Sequence, residues 1–461
     1  MKSRLICSIL LASFLVISCV GPVQAQELPP LPSICTIQPV MDTSVYPPKL
    51  VSLYLICKPD EPVWNHQLVV FAHGYVPSIP GYIDEPYLPL DQLFLVTPSL
   101  PEIVTSMGYA FAMPSYPVNG LATLPGVQDV LNLVQAFRGQ YPATSNVFLV
   151  GASEGGLVTT LAMERNPLVF KGGLAACGPI GNFQYQVNHF GDFRVLFDYY
   201  FPGILPVGVL PVDPSNPTGP TDVYSAINVP PYVMALWDST YKVAITSAVQ
   251  NAMLYDPLRV KNLFATAKTP ADPSGADKTA VELLWYNAFA TMDARVKLSL
   301  NPLADLKNPY DNLIPYRWYS GSNQDALLNA AVPRFQRSVL DLVMNQYQTN
   351  GRLRSPLVTM HNTGDPIVPY AHESMYTAKT LQAGTFWKRI NIPITSYGHC
   401  NFTAKQLTFG FALMILRSTG SLPTALIAAL GDGGSPILTE SEFRQMEKDL
   451  GPKEIYIPIV H

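Results

Sequence analysis

The chain of 461 residues carries few charged side chains. Only 13% of its residues are charged, whereas globular domains average about 25%. The formal net charge is -4 at pH 7, and lysine and arginine nowhere form a run. A nucleic-acid-binding protein needs a basic surface that neutralises phosphates. We therefore expect no nucleic-acid partner.

Sequence motifs for metal ions and redox chemistry are also missing. No Cys-x-x-Cys and no His-Glu-x-x-His spacing occurs, so neither a zinc site nor a redox site is indicated. We expect no metal and no cofactor. After residue 20, no apolar run reaches the roughly 20 residues that a membrane-spanning helix requires. No membrane span is expected there.

The amino terminus has the pattern of an export signal. Lys2 and Arg4 precede an apolar run that ends at Val20, and Val23-Gln-Ala25 provides a small-residue cleavage site. This pattern predicts a signal peptide over residues 1–25 and a secreted or periplasmic protein. The alternative is a lipoprotein signal, in which Cys19 becomes a lipid anchor at the cell envelope.

Four cysteines remain after this presequence: Cys35, Cys57, Cys177 and Cys400. Four thiols in an oxidising compartment predict two disulfides, with three possible connectivities. Nearness in sequence favours Cys35 with Cys57, which leaves Cys177 for Cys400. Buried free thiols are the alternative, because cysteine is also a common small core residue.

Much of the chain alternates between predicted strands and predicted helices. Strands are predicted at Leu50–Ile56, Gln67–Ala72, Gly108–Met113, Gly172–Cys177, Pro356–Met360 and Ile392–Ser396. Such alternation predicts the α/β class, with a mostly parallel sheet covered by helices on both faces. We expect a Pro-rich arm and first strand at 26–62, a catalytic core at 63–180 and 355–418, and a carboxyl-terminal extension at 419–461.

Residues 181–354 interrupt this alternation. A segment of that length is not an unstructured loop in a folded domain, so we expect a large, mainly helical cap. Aromatic residues crowd its beginning, and Phe193 and Phe197 are predicted to form one wall of a substrate pocket. The alternative is that they only hold the cap in place.

The strongest motif is Gly151-Ala-Ser153-Glu-Gly155. It follows the apolar run Val147–Val150 and leads into a helical pattern, which is the context of a nucleophile elbow. Ser153 would lie on the sharp turn, where the flanking glycines avoid steric clashes. A serine needs a general base and an acid to become a nucleophile.

His399 and Asp365 are the predicted partners of Ser153. His399 follows a predicted strand at a glycine, and the order serine, acid, histidine excludes the histidines before Ser153. Asp365 directly follows the preceding strand, where its carboxylate could orient the imidazole. An aspartate that only caps a turn is the alternative for Asp365.

An oxyanion site requires backbone amides that point at the developing negative charge. One donor should be the amide of Glu154, which follows the nucleophile. The other should come from the loop after the early strand, where we assign Tyr75, with Gly74 as the alternative.

These segments, together with His73-Gly74, resemble the α/β-hydrolase family. The resemblance covers about 67–178 and 357–418, and it implies a Ser/Asp/His hydrolase that forms an acyl-enzyme. The Cys400 that follows His399 also resembles tannases and feruloyl esterases, in which this cysteine bonds to one just before the serine. Ala152 occupies that second position here. The elbow is similar to that of prolyl oligopeptidase-type enzymes as well.

The sequence therefore predicts a secreted serine hydrolase that cleaves a small-molecule carboxylic ester with an apolar or aromatic part. An exopeptidase or amidase with the same triad is the second hypothesis. A binding protein on an inactive hydrolase scaffold is the third, although none of the three triad residues is missing.

Overall fold

Eight strands form one sheet within the part of the chain that the structure describes. The computed structural model describes residues 30–78, 85–206, 231–272, 275–298, 325–331, 341–422 and 436–450. The predicted signal peptide and Cys19 lie outside these residues. The elements below belong to a unit that begins at Pro32. In the described residues, no helix is long and apolar enough to cross a bilayer.

The sheet has the strand order β1-β2-β4-β3-β5-β6-β7-β8. Strands β1 and β2 pair antiparallel, as do β2 and β4, and the remaining neighbours are parallel. The mostly parallel α/β architecture predicted from the sequence is therefore confirmed. The strand bounds are β1 Cys35–Asp42, β2 Lys49–Cys57, β3 Leu68–Ala72, β4 Ala110–Pro114, β5 Val147–Ala152, β6 Gly172–Ala176, β7 Leu357–Gly364 and β8 Arg389–Tyr397.

Helices cover both faces of the central strands. Side chains alternate between faces along a strand, so Leu68 and Val70 of β3 join the core with the helices that follow β4 and β5. Val69 and Phe71 point to the other face, against the helices that precede β4 and follow β8. The helices outside the insertion are α1 Leu100–Ser106, α2 Thr123–Gln140, α3 Glu154–Arg165, α12 Ala371–Gln382, α13 Ala404–Thr419 and α14 Glu440–Leu450.

The described part of the segment between β6 and β7 is mainly helical. Its helices are α4 Phe183–Tyr200, α5 Pro231–Ala235, α6 Lys242–Tyr255, α7 Pro257–Ala267, α8 Ala276–Tyr286, α9 Met292–Leu298, α10 Asp325–Ala331 and α11 Asp341–Asn345. A π-helical turn, Asn287–Thr291, joins α8 to α9. The helical character expected of this insertion is present, and its definition as a separate cap stays a prediction.

Two local features differ in how well the sequence predicted them. Strand β1 lies in the Pro-rich arm, where no strand was predicted. It is an edge strand with mostly exposed or half-buried side chains, so its sequence lacks a clear hydrophobic alternation. Thr439-Glu-Ser-Glu442 has the sequence spacing of a capping box, and the structure contains one at the start of α14. Glu442 accepts from the amide of Thr439 at 2.8 Å and donates its own amide to the Thr439 hydroxyl at 3.3 Å.

Candidate active site

Ser153 lies on a strained turn between β5 and α3. Its backbone has φ 57° and ψ -124°, a left-handed conformation that costs a non-glycine residue about 1–3 kcal/mol. A Cβ atom on Gly155 would lie 1.9 Å from the carbonyl oxygen of Ala72, and one on Gly151 would lie 2.1 Å from the carbonyl oxygen of Gly155. Both glycines of the motif are therefore sterically required.

The structure brings Ser153, His399 and Asp365 into one hydrogen-bonded chain. His399 Nε2 lies 2.8 Å from Ser153 Oγ, and His399 Nδ1 lies 2.7 Å from Asp365 Oδ2. Strands β5, β7 and β8 end at the same edge of the sheet, which is why residues so far apart in sequence meet. The other oxygen of Asp365 accepts from the amides of Ile367 and Val368, each at 2.9 Å. These bonds hold the carboxylate in one orientation.

A buried histidine that was not predicted from the sequence, His361, lies behind Asp365. His361 Nε2 lies 3.4 Å from Asp365 Oδ2, and His361 Nδ1 lies 3.3 Å from Glu373 Oε1. Glu373 in turn pairs with Arg389. His361 lies near the end of β7, past the Met360 at which the predicted strand stopped. Its spacing of four residues from Asp365 was the only local signal available.

Burial and charge act in opposite directions on this network. Burial alone would lower the pKa of His361, but its bonds to Asp365 and Glu373 raise it to about 10. Burial opposes ionisation of Asp365, yet the neighbouring His399 and His361 hold the pKa of Asp365 well below its usual range. Arg389 and His361 likewise overcome burial and lower the pKa of Glu373 to about 2. These three pKa shifts agree with a positively charged His361 between two carboxylates.

The predicted oxyanion donors differ in whether their backbone amides are already hydrogen-bonded. The Gly74 amide donates to Gln92 Oε1 at 2.7 Å, so Gly74 is already paired. No hydrogen bond within the described chain uses the amides of Tyr75 or Glu154. The loop is held by His73, whose ring stacks on Tyr116 at 3.8 Å between centroids. Tyr75 is therefore a better candidate donor than Gly74.

The side chain of Glu154 has a separate, structural contact. Its Oε1 accepts from the Ala122 amide and from the Thr123 hydroxyl, both at 2.8 Å. Burial raises the pKa of Glu154 to about 7, although these hydrogen bonds and the nearby Lys297 lower it. The carboxylate thus ties the elbow to the start of α2.

A cavity of about 100 Å³ lies beside Ser153. Its walls are mostly apolar and come from both the core and the helical insertion, with Tyr75, Leu157, Phe183, Phe190, Tyr286 and Ile367 among the lining residues.

The prediction that Phe193 and Phe197 line the pocket is corrected. Both are fully buried elsewhere, with Phe193 packed on Phe264 at 5.5 Å and Phe197 stacked on Phe201 at 5.1 Å between centroids. They continue the apolar stripe of α4 that holds Phe183 and Phe190, but they lie further along the helix. Only the first two turns of α4 reach the cavity.

Both predicted disulfides are present. Cys35 bonds to Cys57, its cross-strand neighbour in the β1–β2 pair. Cys177 bonds to Cys400 with their Cα atoms 5.4 Å apart. Cys400 therefore pairs with the end of β6, across β7, and not with the residue before the serine. Two disulfides fit a protein of an oxidising compartment.

One group of possible metal ligands occurs among the described residues. The ligand atoms of Cys177, His399 and Cys400 all lie within 4.8 Å of one another. Metal binding by cysteine requires a thiolate, and the disulfide uses both sulfurs. The group is therefore unsuited to a metal while the disulfide is intact.

Comparison with known proteins gives matches only among solved structures, because no protein-family model and no curated protein matches the chain. Acylaminoacyl peptidase from Pyrococcus horikoshii is 12% identical, with a TM-score of 0.36 over 80% of this chain and 38% of that chain. Candida antarctica lipase A is 14% identical, with a TM-score of 0.37 over 87% and 82% of the two chains. Paleococcus ferrophilus monoacylglycerol lipase is 12% identical, with a TM-score of 0.33 over 77% and 95%.

The chain spans about two fifths of the length of the Pyrococcus peptidase. Its fold is defined by its own topology, in which a sharp strand-to-helix turn presents a serine at the carboxyl edge of a mostly parallel sheet. In that turn the backbone amide after the serine is available as a donor. The acid and the histidine follow the serine in chain order. The chain has the α/β-hydrolase fold.

Proposed function

We propose that this protein is a serine hydrolase that cleaves carboxylic esters with an apolar or aromatic part. The observation that carries the proposal is the Ser153–His399–Asp365 chain, with contacts of 2.8 and 2.7 Å, beside an apolar cavity. A hydrogen-bonded nucleophile, base and acid is the arrangement that activates a serine.

The proposed reaction begins when Ser153 Oγ attacks the ester carbonyl carbon and its proton moves to His399 Nε2. The negative charge that develops on the carbonyl oxygen is stabilised by the Tyr75 and Glu154 amides, and one such donor is worth about 2.7–4 kcal/mol. Collapse breaks the bond between the carbonyl carbon and the alcohol oxygen, which takes the proton from His399. A water molecule then attacks the carbonyl carbon of the acyl-enzyme in the same way, which releases the carboxylic acid product and regenerates Ser153.

Asp365 has the role of orienting His399 and stabilising the imidazolium. Its fixed position supports this role, because two backbone amides and His361 hold the carboxylate. We expect Asp365 to stay ionised throughout the reaction.

The test is labelling of the folded protein with a fluorophosphonate, together with turnover of 4-nitrophenyl butyrate. We expect one label on Ser153, and Ser153→Ala should abolish labelling. Asp365→Asn should lower kcat by about 10⁴-fold, since it favours the wrong tautomer of the histidine. The exposed Ser145 gives a matched control, and Ser145→Ala should leave both measurements unchanged.

A folded protein that stays unlabelled would contradict the proposal and favour a binding protein on a hydrolase scaffold. Labelling with turnover of peptide 4-nitroanilides but not of esters would favour the exopeptidase or amidase hypothesis.

We also propose that the protein is exported. The support is the amino-terminal signal pattern together with two disulfides. Mass spectrometry of the mature protein tests this, since an amino terminus at Gln26 fits a secreted form and a diacylglycerol on Cys19 fits a lipid-anchored form. An intact Met1 terminus would contradict export.

A further inference from the structure

We propose that the cavity beside Ser153 holds the acyl part of the ester and limits it to about one aromatic ring or a short chain. On this proposal the alcohol lies outside the cavity, on the side of His399, and the cavity does not limit its size. The inference rests on the proposed hydrolase function and adds which part of the substrate is selected, and by which residues.

The orientation follows from where the catalytic groups lie relative to the cavity. Tyr75 and Glu154, the candidate oxyanion donors, line it together with Ser153. His399 is absent from the described residues that line it. The alcohol oxygen must receive its proton from His399 Nε2, so the alcohol has to lie outside the cavity. The acyl group, on the other side of the carbonyl carbon, then points inward.

The size limit follows from the volume. A cavity of about 150 Å³ lined by leucine, isoleucine and phenylalanine is large enough to hold benzene. The cavity beside Ser153 measures about 100 Å³. Because it is smaller than that cavity, it can accommodate at most about one ring or a few methylene groups. A long alkyl chain would have to displace its walls.

Two of those walls are formed by cap helices. Phe190 of α4 stacks on Tyr286 at the end of α8, with centroids 5.2 Å apart and planes 9° from parallel. The chain then enters the π-helical turn, from which Ala290 lines the cavity, and Ala294 lines it one turn later. π-helical turns occur frequently at functional sites.

The small side chains of Ala290 and Ala294 leave open the space that the acyl group would fill. A larger side chain at Ala290 should shrink the cavity, and a smaller one at Phe190 should enlarge it. The two changes act in opposite directions on the same length limit. A general loss of stability would not produce opposite shifts.

The experiment varies one half of the ester at a time. We expect kcat/KM to fall at least about tenfold from 4-nitrophenyl butyrate to the dodecanoate. Butyrate esters of phenols of increasing size, from phenol to naphthol, should differ by less than about threefold after correction for leaving-group pKa. In Ala290→Leu the decrease in kcat/KM should begin at shorter acyl groups. In Phe190→Ala it should begin at longer ones.

The matched control is Ala265→Leu, the same change at an exposed position of α7, which should leave the length profile as in the unmodified protein. Fluorophosphonate labelling of Ser153 in each variant shows that the site is folded. Labelled, active protein with no dependence on acyl length, or with a dependence on alcohol size instead, would overturn the inference and leave the proposed function intact. Protein without labelling and turnover would overturn both.

Discussion

At the scale of single residues, His361 is the unusual feature of the site. It is completely buried and lies between two carboxylates, one of which is the proposed catalytic acid. A buried carboxylate is costly unless charge and hydrogen bonds compensate it. His361 supplies charge, because its Nε2 lies 3.4 Å from Asp365 Oδ2, while the same nitrogen is hydrogen-bonded to the Val368 carbonyl oxygen at 2.8 Å. We therefore expect His361 to position the acid and keep it ionised.

We predict that His361→Gln lowers kcat by about 10- to 100-fold, because Asp365 loses a charged neighbour and is less well positioned. Without the cation the pKa of Asp365 should rise, and the acidic limb of the kcat/KM profile should move to higher pH. His66→Gln, at an exposed histidine, is the control. A variant with lower stability but an unchanged pH profile would show that His361 only fills space.

At the scale of elements, the Cys177–Cys400 disulfide links the end of β6 to the loop that carries His399. The bond closes a loop with a sequence separation of 223 residues. Loop-entropy arguments assign such a bond about 5 kcal/mol, and about 3 kcal/mol to the Cys35–Cys57 bond with its separation of 22. Both disulfides should therefore stabilise the fold, but only one adjoins the site.

We predict that replacing Cys177 and Cys400 together by serine lowers kcat at temperatures where the protein stays folded, because the His399 loop is no longer held over Ser153. Replacing Cys35 and Cys57 should lower the melting temperature without changing kcat. Circular dichroism and ester turnover of the two double variants check this. Equal effects on kcat would rule out a specific role for the Cys177–Cys400 bond.

At the scale of the whole molecule, the His361 network should shape the pH dependence of stability. Because the folded pKa of His361 is raised from 6.5 to about 10, its stabilisation is complete below pH 6.5 and is lost as pH rises through 10. The folded pKa of Glu373 is lowered from 4.5 to about 2, so its stabilisation is present above pH 4.5 and is lost as pH falls through 2. Both contributions are fully present between pH 4.5 and pH 6.5, so the network stabilises the fold most in that range.

Ionisation of Glu154 changes the stability of the fold in the opposite direction to ionisation of Glu373. Its folded pKa is raised from 4.5 to about 7, so stability falls as pH rises from 4.5 through 7. Measurements above pH 7.5 therefore separate His361 from Glu154.

We predict that the melting temperature falls more steeply between pH 7.5 and 10 in the unmodified protein than in His361→Gln. Lys379, whose folded pKa is lowered to about 8 by burial, contributes a slope of the opposite sign in both proteins. His66→Gln should keep the slope of the unmodified protein. An unchanged slope in the His361 variant would show that His361 is neutral when folded.

The sequence by itself determined the features that depend on local pattern. The elbow at Ser153 was recognisable because two glycines, an apolar strand and an amphipathic helix are consecutive in the chain. Asp365 and His399 were predicted as partners of Ser153 because parallel strands end at one edge of a sheet, so a residue just past a strand is near other such residues. The alternation of strands and helices determined the class of fold, because it too is a pattern of consecutive segments in the chain.

Only the tertiary structure decided the features that depend on distance along an element or on contacts between elements. Phe193 and Phe190 belong to one stripe of α4, and nothing local tells which of them reaches the cavity. His361 acquires its charged neighbours because α12 and β8 bring Glu373 and Arg389 against β7. The physical reason is that periodicity assigns a side chain to a face, whereas packing between elements decides what that face meets.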